Sequence, residues 1–111
     1  GGDLTAARNA LIERRDTLVA ALRAETGTGM DIAIPLGGMH LWVQLPDHIS
    51  DAALAADLAR RNVAVSPGGA WFPADPPGPY LRLTFAAAPS ILREGARIVG
   101  SAIRQRMGQT G

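Results

Sequence analysis

Met39-His40-Leu41-Trp42-Val43-Gln44-Leu45 alternates without a break. In an extended chain Met39, Leu41, Val43 and Leu45 fall on one face, and His40, Trp42 and Gln44 on the other. Gly37-Gly38 ahead of it signals a turn or a close approach, and Pro46 stops the strand. Tyr80-Leu81-Arg82-Leu83-Thr84-Phe85 repeats the pattern, with Leu81, Leu83 and Phe85 on one face and Tyr80, Arg82 and Thr84 on the other. Strands that are apolar on one face only call for a covering layer on that face.

The covering elements are legible outward from these two strands. Residues from about Asp3 to Glu25 read as a long helix with Leu4, Ala7, Leu11, Leu18 and Leu22 at three- and four-residue spacing. Arg14 and Arg15 fall near the middle of that stripe, where their methylene stems can line the core edge while the charged heads reach water. Gly27 and Gly29 end the helix. Asp31 to Pro35 is a candidate short strand. Ser50 is a good N-cap, with Ile49 and Leu54 placed as a hydrophobic staple, and the helix it opens runs to about Arg61 and buries Leu54 and Leu58. Val63 to Ser66 reads as a short strand, followed by a Gly- and Pro-rich loop, Pro67 to Pro79, that carries Trp71 and Phe72 and is stiffened by its prolines. Pro89 suits the first turn of a last helix with the stripe Leu92, Ala96, Val99, Ile103 and Met107. The order helix, two strands, helix, two strands, helix predicts an α+β, two-layer sandwich: a mostly antiparallel sheet packed by helices.

The 111 residues fit one domain, 1–111, with one core, and the 47% hydrophobic and 19% charged content is that of a globular chain. A net charge of +1, with the arginines scattered, offers no footprint for nucleic acid or anionic lipid. No apolar run reaches the roughly 18 residues a membrane span needs, and no signal peptide opens the chain. Cysteine is absent, which excludes disulfides, thiolate zinc sites and cysteine nucleophiles and suits a cytoplasmic location. All 11 Lys+Arg residues are arginine, so this chain cannot form a Schiff base with a carbonyl cofactor. The opening Gly1-Gly2, without methionine, leads us to expect a fragment of a longer protein.

The inventory of reactive groups is poor. His48 follows Pro46 in a loop and reads as solvated; His40 shares the Trp42 face, where a lone histidine is usually structural. The carboxylates show no spacing suited to acid–base work, and no phosphate-binding glycine motif is present, Ser66-Pro67-Gly68-Gly69 lacking a clear following helix. No catalytic residue and no metal ligand set is expected. Arg82 stands out. It is either an arginine on the solvated face of a sheet or a planar guanidinium held by a rigid strand for two-pronged capture of a carboxylate.

Three runs in order, Gly37-Gly38-Met39-His40-Leu41-Trp42-Val43, Val63-Ala64-Val65-Ser66-Pro67-Gly68 with Phe72 after it, and Leu81-Arg82-Leu83-Thr84-Phe85-Ala86, closely resemble the C-terminal small domain of fold-type I aminotransferases, which depend on pyridoxal phosphate (PLP). Arg14-Arg15-Asp16 also resembles the family's run at the start of that domain, and the resemblance spans essentially the whole chain. It implies that Arg82 binds the substrate α-carboxylate, that Gly38 and Met39 border the substrate, and that the Ser66–Phe72 loop, with Trp71, lies near the mouth of the site. The family's cofactor lysine, the aspartate that pairs with the pyridine nitrogen and the phosphate cup belong to a large domain. The resemblance therefore implies PLP in the full-length protein and none on this chain.

Histidine after methionine in Gly-Gly-Met-His-Leu resembles the MocR type, GntR-family transcription regulators that join a winged-helix DNA-binding domain to an aminotransferase-like module. On that resemblance the parent is expected to sense an amino acid; the alternative is a stand-alone amino-acid aminotransferase. The chain itself is expected not to be an enzyme. Implied partners are an amino acid or keto acid, the large PLP-binding domain of the same chain and a second subunit in a homodimer. DNA would be reached only through an absent N-terminal domain. A reading of another class is a free-standing amino-acid-binding or interaction module, which the first helix discriminates: in the aminotransferase reading it continues between domains and stays partly uncovered.

Overall fold

The computed structural model describes residues 2–27, 30–33, 39–63, 65–67 and 78–108. Seven elements follow one another: α1 (Gly2–Thr26), β1 (Ile32–Ala33), β2 (His40–Gln44), α2 (Asp51–Arg60), β3 (Ser66–Pro67), β4 (Tyr80–Thr84) and α3 (Pro89–Met107). The strands form one sheet in the order β1-β2-β4-β3, antiparallel at every pairing. This is the α+β sandwich that the alternation and the helical stripes predict.

Leu41, Val43 and Leu45 of the first long run and Leu81, Leu83 and Phe85 of the second are all buried. They join a single cluster with Leu18 and Leu22 of α1, Leu54 and Leu58 of α2, and Leu92, Ala96, Val99 and Ile103 of α3. Burying a leucine-sized side chain is worth about 1.5–3 kcal/mol, so these positions hold the two layers together.

Local chemistry sets the ends of the elements. The Ser50 hydroxyl accepts from the Ala53 N–H at 3.2 Å, the cap expected of it, and α2 begins at Asp51. Gly27 takes φ +85° and donates its N–H to the Arg23 carbonyl at 2.8 Å, closing α1 in a left-handed conformation that glycine adopts at no steric cost. The end of α2 has a device that composition did not reveal. Asn62 sits at φ +64°, its N–H reaching Ala59 O at 3.0 Å while Val63 N–H reaches Leu58 O at 2.9 Å. That double return is a Schellman motif, and asparagine tolerates the left-handed position it needs.

Three expectations need correction, and a fourth, the strand over Asp31–Pro35, is found within its range. The α1 stripe is buried only in its second half: Leu4 is 78% exposed, Ala7 is exposed and Leu11 half-buried, while Leu18 and Leu22 are buried. A 25-residue helix is about 37 Å long, whereas the partner helix α3 has only 19 residues, so α1 outruns its cover. Met107, at 41% exposure in the last turn of α3, likewise lies beyond the core. The strand expected over Val63–Ser66 pairs instead at Ser66–Pro67, because the Schellman turn spends Val63 on ending α2. The early strand is Ile32–Ala33, and residues 34–35 lie outside the described residues.

α1 and α3 pack closely. A Cβ built on Gly100 would overlap that of Glu25 and stand 3.1 Å from its Cγ, so glycine sets the approach of the two helices. The same crossing carries an Arg104–Glu25 ion pair at 3.0 Å. Asp57 ties the ends of α2 and α3 together, accepting from Arg60 at 3.3 Å, Arg61 at 3.2 Å and Arg106 at 3.4 Å.

Candidate functional site

Since the three helices share their buried cluster with the Leu41–Leu81 face, the opposite face of the sheet is the one on which β2 and β4 display their polar and aromatic side chains. The register pairs His40 with Thr84, Trp42 with Arg82 and Gln44 with Tyr80. Residues directly opposite in an antiparallel pair share a face, so all six side chains stand together on the second face of the sheet. On the other side of β4, Ser66 pairs with Arg82. Arg82 thus occupies an inner strand, with a hydrogen-bonded neighbour on each flank.

Its surroundings are only partly wet. Arg82 is half-buried and its Nε lies out of solvent contact. Trp42 and Tyr80 meet edge to face, with ring centroids 6.3 Å apart and planes at 76°, and form an aromatic wall beside it. The Tyr80 N–H donates to Asp51 Oδ2 at 3.4 Å, which fastens the start of β4 to the first turn of α2. Burial, and then the positive charge of Arg82, hold His40 below its ordinary pKa of 6.5. A planar cation on a stiff strand, with an imidazole and two rings beside it, has chemistry suited to receiving a carboxylate.

Of the other residues singled out from sequence, Met39 is described, and its alternation with Leu41 and Val43 puts its side chain on the helical face of the sheet rather than on the face of Arg82. Its carbonyl accepts the Phe85 N–H at 2.9 Å, which extends the β2–β4 ladder by one step, and its side chain is 44% exposed. It stands opposite Phe85, three residues from Arg82 and so roughly 10 Å along the strand. Gly38, Trp71 and the rest of the loop over 68–77 lie outside the described residues. His48 is exposed, and its Nε2 lies 3.2 Å from the Arg106 carbonyl, on the helical side. Sequence reasoning passed over His40 and Tyr80 as members of the site. Alternation gives the face of each residue in its own strand, but only the cross-strand register shows which of them meet.

Among the described residues no group of three or more His, Cys, Asp or Glu side chains is placed to hold a metal ion, and no helix is long and apolar enough to cross a membrane. A cavity of about 460 Å³ opens beside α3, lined by Val63, Val65, Leu83, Ile91 and Leu92 among others. It lies on the helical side of the sheet and does not include Arg82.

Comparison with known proteins agrees with this fold. The family pattern described as aminotransferase class I and II matches residues 2–96. An aromatic-amino-acid aminotransferase of Thermococcus litoralis is 30% identical over 95 residues, 85% of this chain and 23% of that protein. A 2-aminoadipate transaminase of Thermus thermophilus is 31% identical over 93 residues, 83% of this chain and 23% of that protein. Among solved structures, the α-aminoadipate aminotransferase of Thermus thermophilus, in complex with N-(5'-phosphopyridoxyl)-L-leucine, superposes with a TM-score of 0.83 at 29% identity, over 95% of this chain and 27% of that one. The chain spans about a quarter of the length of the relatives it matches.

Proposed function

The chain belongs to the aminotransferase class I and II family, and on that premise we propose that it is the substrate-clamping small domain of an amino-acid aminotransferase, with Arg82 receiving the α-carboxylate. The observation that carries this reading is the placement of Arg82. It is the one arginine on a strand, half-buried on the sheet face that the helices leave open and walled by Trp42 and Tyr80. A guanidinium presents two parallel N–H donors to a carboxylate, and a backbone paired on both sides keeps that fork from wandering.

PLP does not fit this chain by itself. There is no lysine to bond its aldehyde, all 11 Lys+Arg residues being arginine. We place the cofactor in the remainder of the full-length protein, where it would supply the electron sink for chemistry at the amino-acid α-carbon. The residues present here bind and orient. Arg82 fixes the carboxylate end of the substrate, the backbone at Met39 borders it from the end of the β2–β4 ladder, and the aromatic pair excludes water from the ion pair. Gly38 and Trp71 complete the rim in the same reading, and a homodimer and the large domain supply the missing walls.

The relatives support the stand-alone enzyme over the regulator, since each of them is named as an aminotransferase. Met39-His40 remains the one sequence feature that favours a regulator of the MocR type, with its DNA contacts in a separate domain. The test is titration of the full-length Arg82→Lys and Arg82→Ala proteins with amino acids. Unchanged affinity in both variants removes Arg82 from the clamp.

A further inference from the structure

His40 is the titratable side chain set beside Arg82 on the open sheet face. His40 pairs with Thr84 and Trp42 with Arg82, so His40 and Arg82 are diagonal neighbours across the β2–β4 ladder. Diagonal positions place Cβ atoms roughly 7–8 Å apart, within reach of two long side chains that lean toward each other. Both side chains are half-buried, so the charge on one is felt by the other with less screening than in open water.

The other charged groups placed near this face include Asp51 of α2, which accepts from the Tyr80 N–H at the start of β4, away from His40. β4 brings Arg82 and the phenol of Tyr80. Asp31, whose carbonyl accepts the Gln44 N–H at 2.9 Å, leads into β1 at the far end of β2, about 13 Å along the strand from His40. β1 itself sets Ala33 against Trp42. The helices lie behind the sheet. The charge that acts on the imidazole is that of Arg82.

We propose that His40 and Arg82 together form a proton-coupled carboxylate site, in which seating a carboxylate on Arg82 makes His40 take up a proton from solvent. The inference rests on the reading of Arg82 as the clamp and deepens it. Without a bound anion, the guanidinium charge and the partial burial keep the imidazole neutral. A carboxylate on Arg82 cancels the repulsion and adds a negative charge within reach of the ring. Both changes favour the imidazolium. One proton moves from solvent to the ring nitrogen, no covalent bond to the ligand forms, and the complex gains a second cationic donor facing the anion. By linkage, what raises proton affinity on ligand binding also raises ligand affinity as the pH falls. Carboxylate capture by this domain is thus stronger in slightly acidic solution than in alkaline solution.

The experiment uses the full-length protein that carries this chain, with butyrate as the probe, because it has a carboxylate and no amine to titrate. Calorimetric titration near pH 7 in two buffers of different protonation enthalpy counts the protons taken up per butyrate bound. The parent should take up a measurable fraction of a proton and bind about three- to tenfold tighter at pH 6 than at pH 8. His40→Gln and His40→Phe, the second of which keeps the ring volume, should lose that part of the uptake and flatten the pH profile. His48→Gln should behave as the parent does. If both His40 variants take up as many protons as the parent, the proposal is overturned and Arg82 can still be the clamp. If instead Arg82→Ala binds butyrate as tightly as the parent, the clamp reading fails, and this inference with it.

Discussion

Trp42 lies directly opposite Arg82 across the β2–β4 ladder, while its ring meets Tyr80 edge to face at 6.3 Å. The aromatic pair stands beside a guanidinium whose Nε is out of solvent contact. An arginine held in this way has lost much of its rotamer freedom before any ligand arrives, so little further order has to be imposed on binding. That pre-ordering is what the proposed clamp requires and an ordinary surface arginine lacks.

Arg82→Lys keeps the charge and loses the fork; Arg82→Ala loses both. Each charge-assisted hydrogen bond is worth about 1.5–3 kcal/mol, so either change should weaken amino-acid binding at least tenfold in the full-length protein. Thermal melting of the same variants should move little, because the core cluster does not include Arg82. A large drop in melting temperature with unchanged affinity would make the arginine structural.

Gly100 governs the approach of α1 to α3. Gly100→Leu forces a side chain against Glu25, an overpacking expected to cost about 1–3 kcal/mol. Denaturant unfolding should show a lower midpoint for Gly100→Leu. Gly95, where an added Cβ meets nothing within 4 Å, serves as the control, and Gly95→Ala should be neutral or stabilising.

Asn62 holds the left-handed corner that ends α2. Asn62→Val places a branched side chain at positive φ and should destabilise by about 1–2 kcal/mol, whereas Asn62→Gly should cost little. Equal midpoints for the two variants in urea unfolding would mean that the corner does not constrain the chain.

His40 also predicts how stability depends on pH. Its pKa in the folded chain is depressed below 6.5 by burial and by Arg82, so the unfolded chain binds this proton more readily. The stabilisation is complete above about pH 6.5 and is lost progressively as the pH falls below that value. Melting temperature should therefore decline from about pH 6.5 toward pH 5, and His40→Gln should decline less over the same range.

What the sequence made legible follows the range of the signal. Alternation in residues 39–45 and 80–85 fixes which side chains are buried, since it depends on single-strand geometry alone, and Leu41, Leu83 and Phe85 lie where that period puts them. The Ser50 cap is equally local. The extent to which α1 is buried is not local: Leu4 and Leu22 occupy the same stripe, and only the length of the partner helix decides that one is exposed and the other covered. The end of α2 lies near Arg61 as the pattern puts it, whereas the strand after it differs for another reason. Asn62 carries no signal as strong as glycine, so the pattern does not show that its corner uses the Val63 N–H, and pairing is found only at Ser66–Pro67. Arg82 could be singled out as an odd residue on its strand, and resemblance supplied its role. Its neighbours His40 and Tyr80 required the register.

The strand order β1-β2-β4-β3 has a kinetic consequence. The two central strands are the two longest, and residues 45–79 lie between them in the chain. No hairpin can nucleate the middle of the sheet; its formation waits on a long loop closure, whose entropy must be lost before the ladder returns anything. α1 and α3, at opposite ends of the chain, face the same delay. The folding barrier therefore lies in bringing distant segments together. Weakening the β2–β4 ladder slows folding itself, while weakening β1, which joins its neighbour across a short connection, chiefly hastens unfolding.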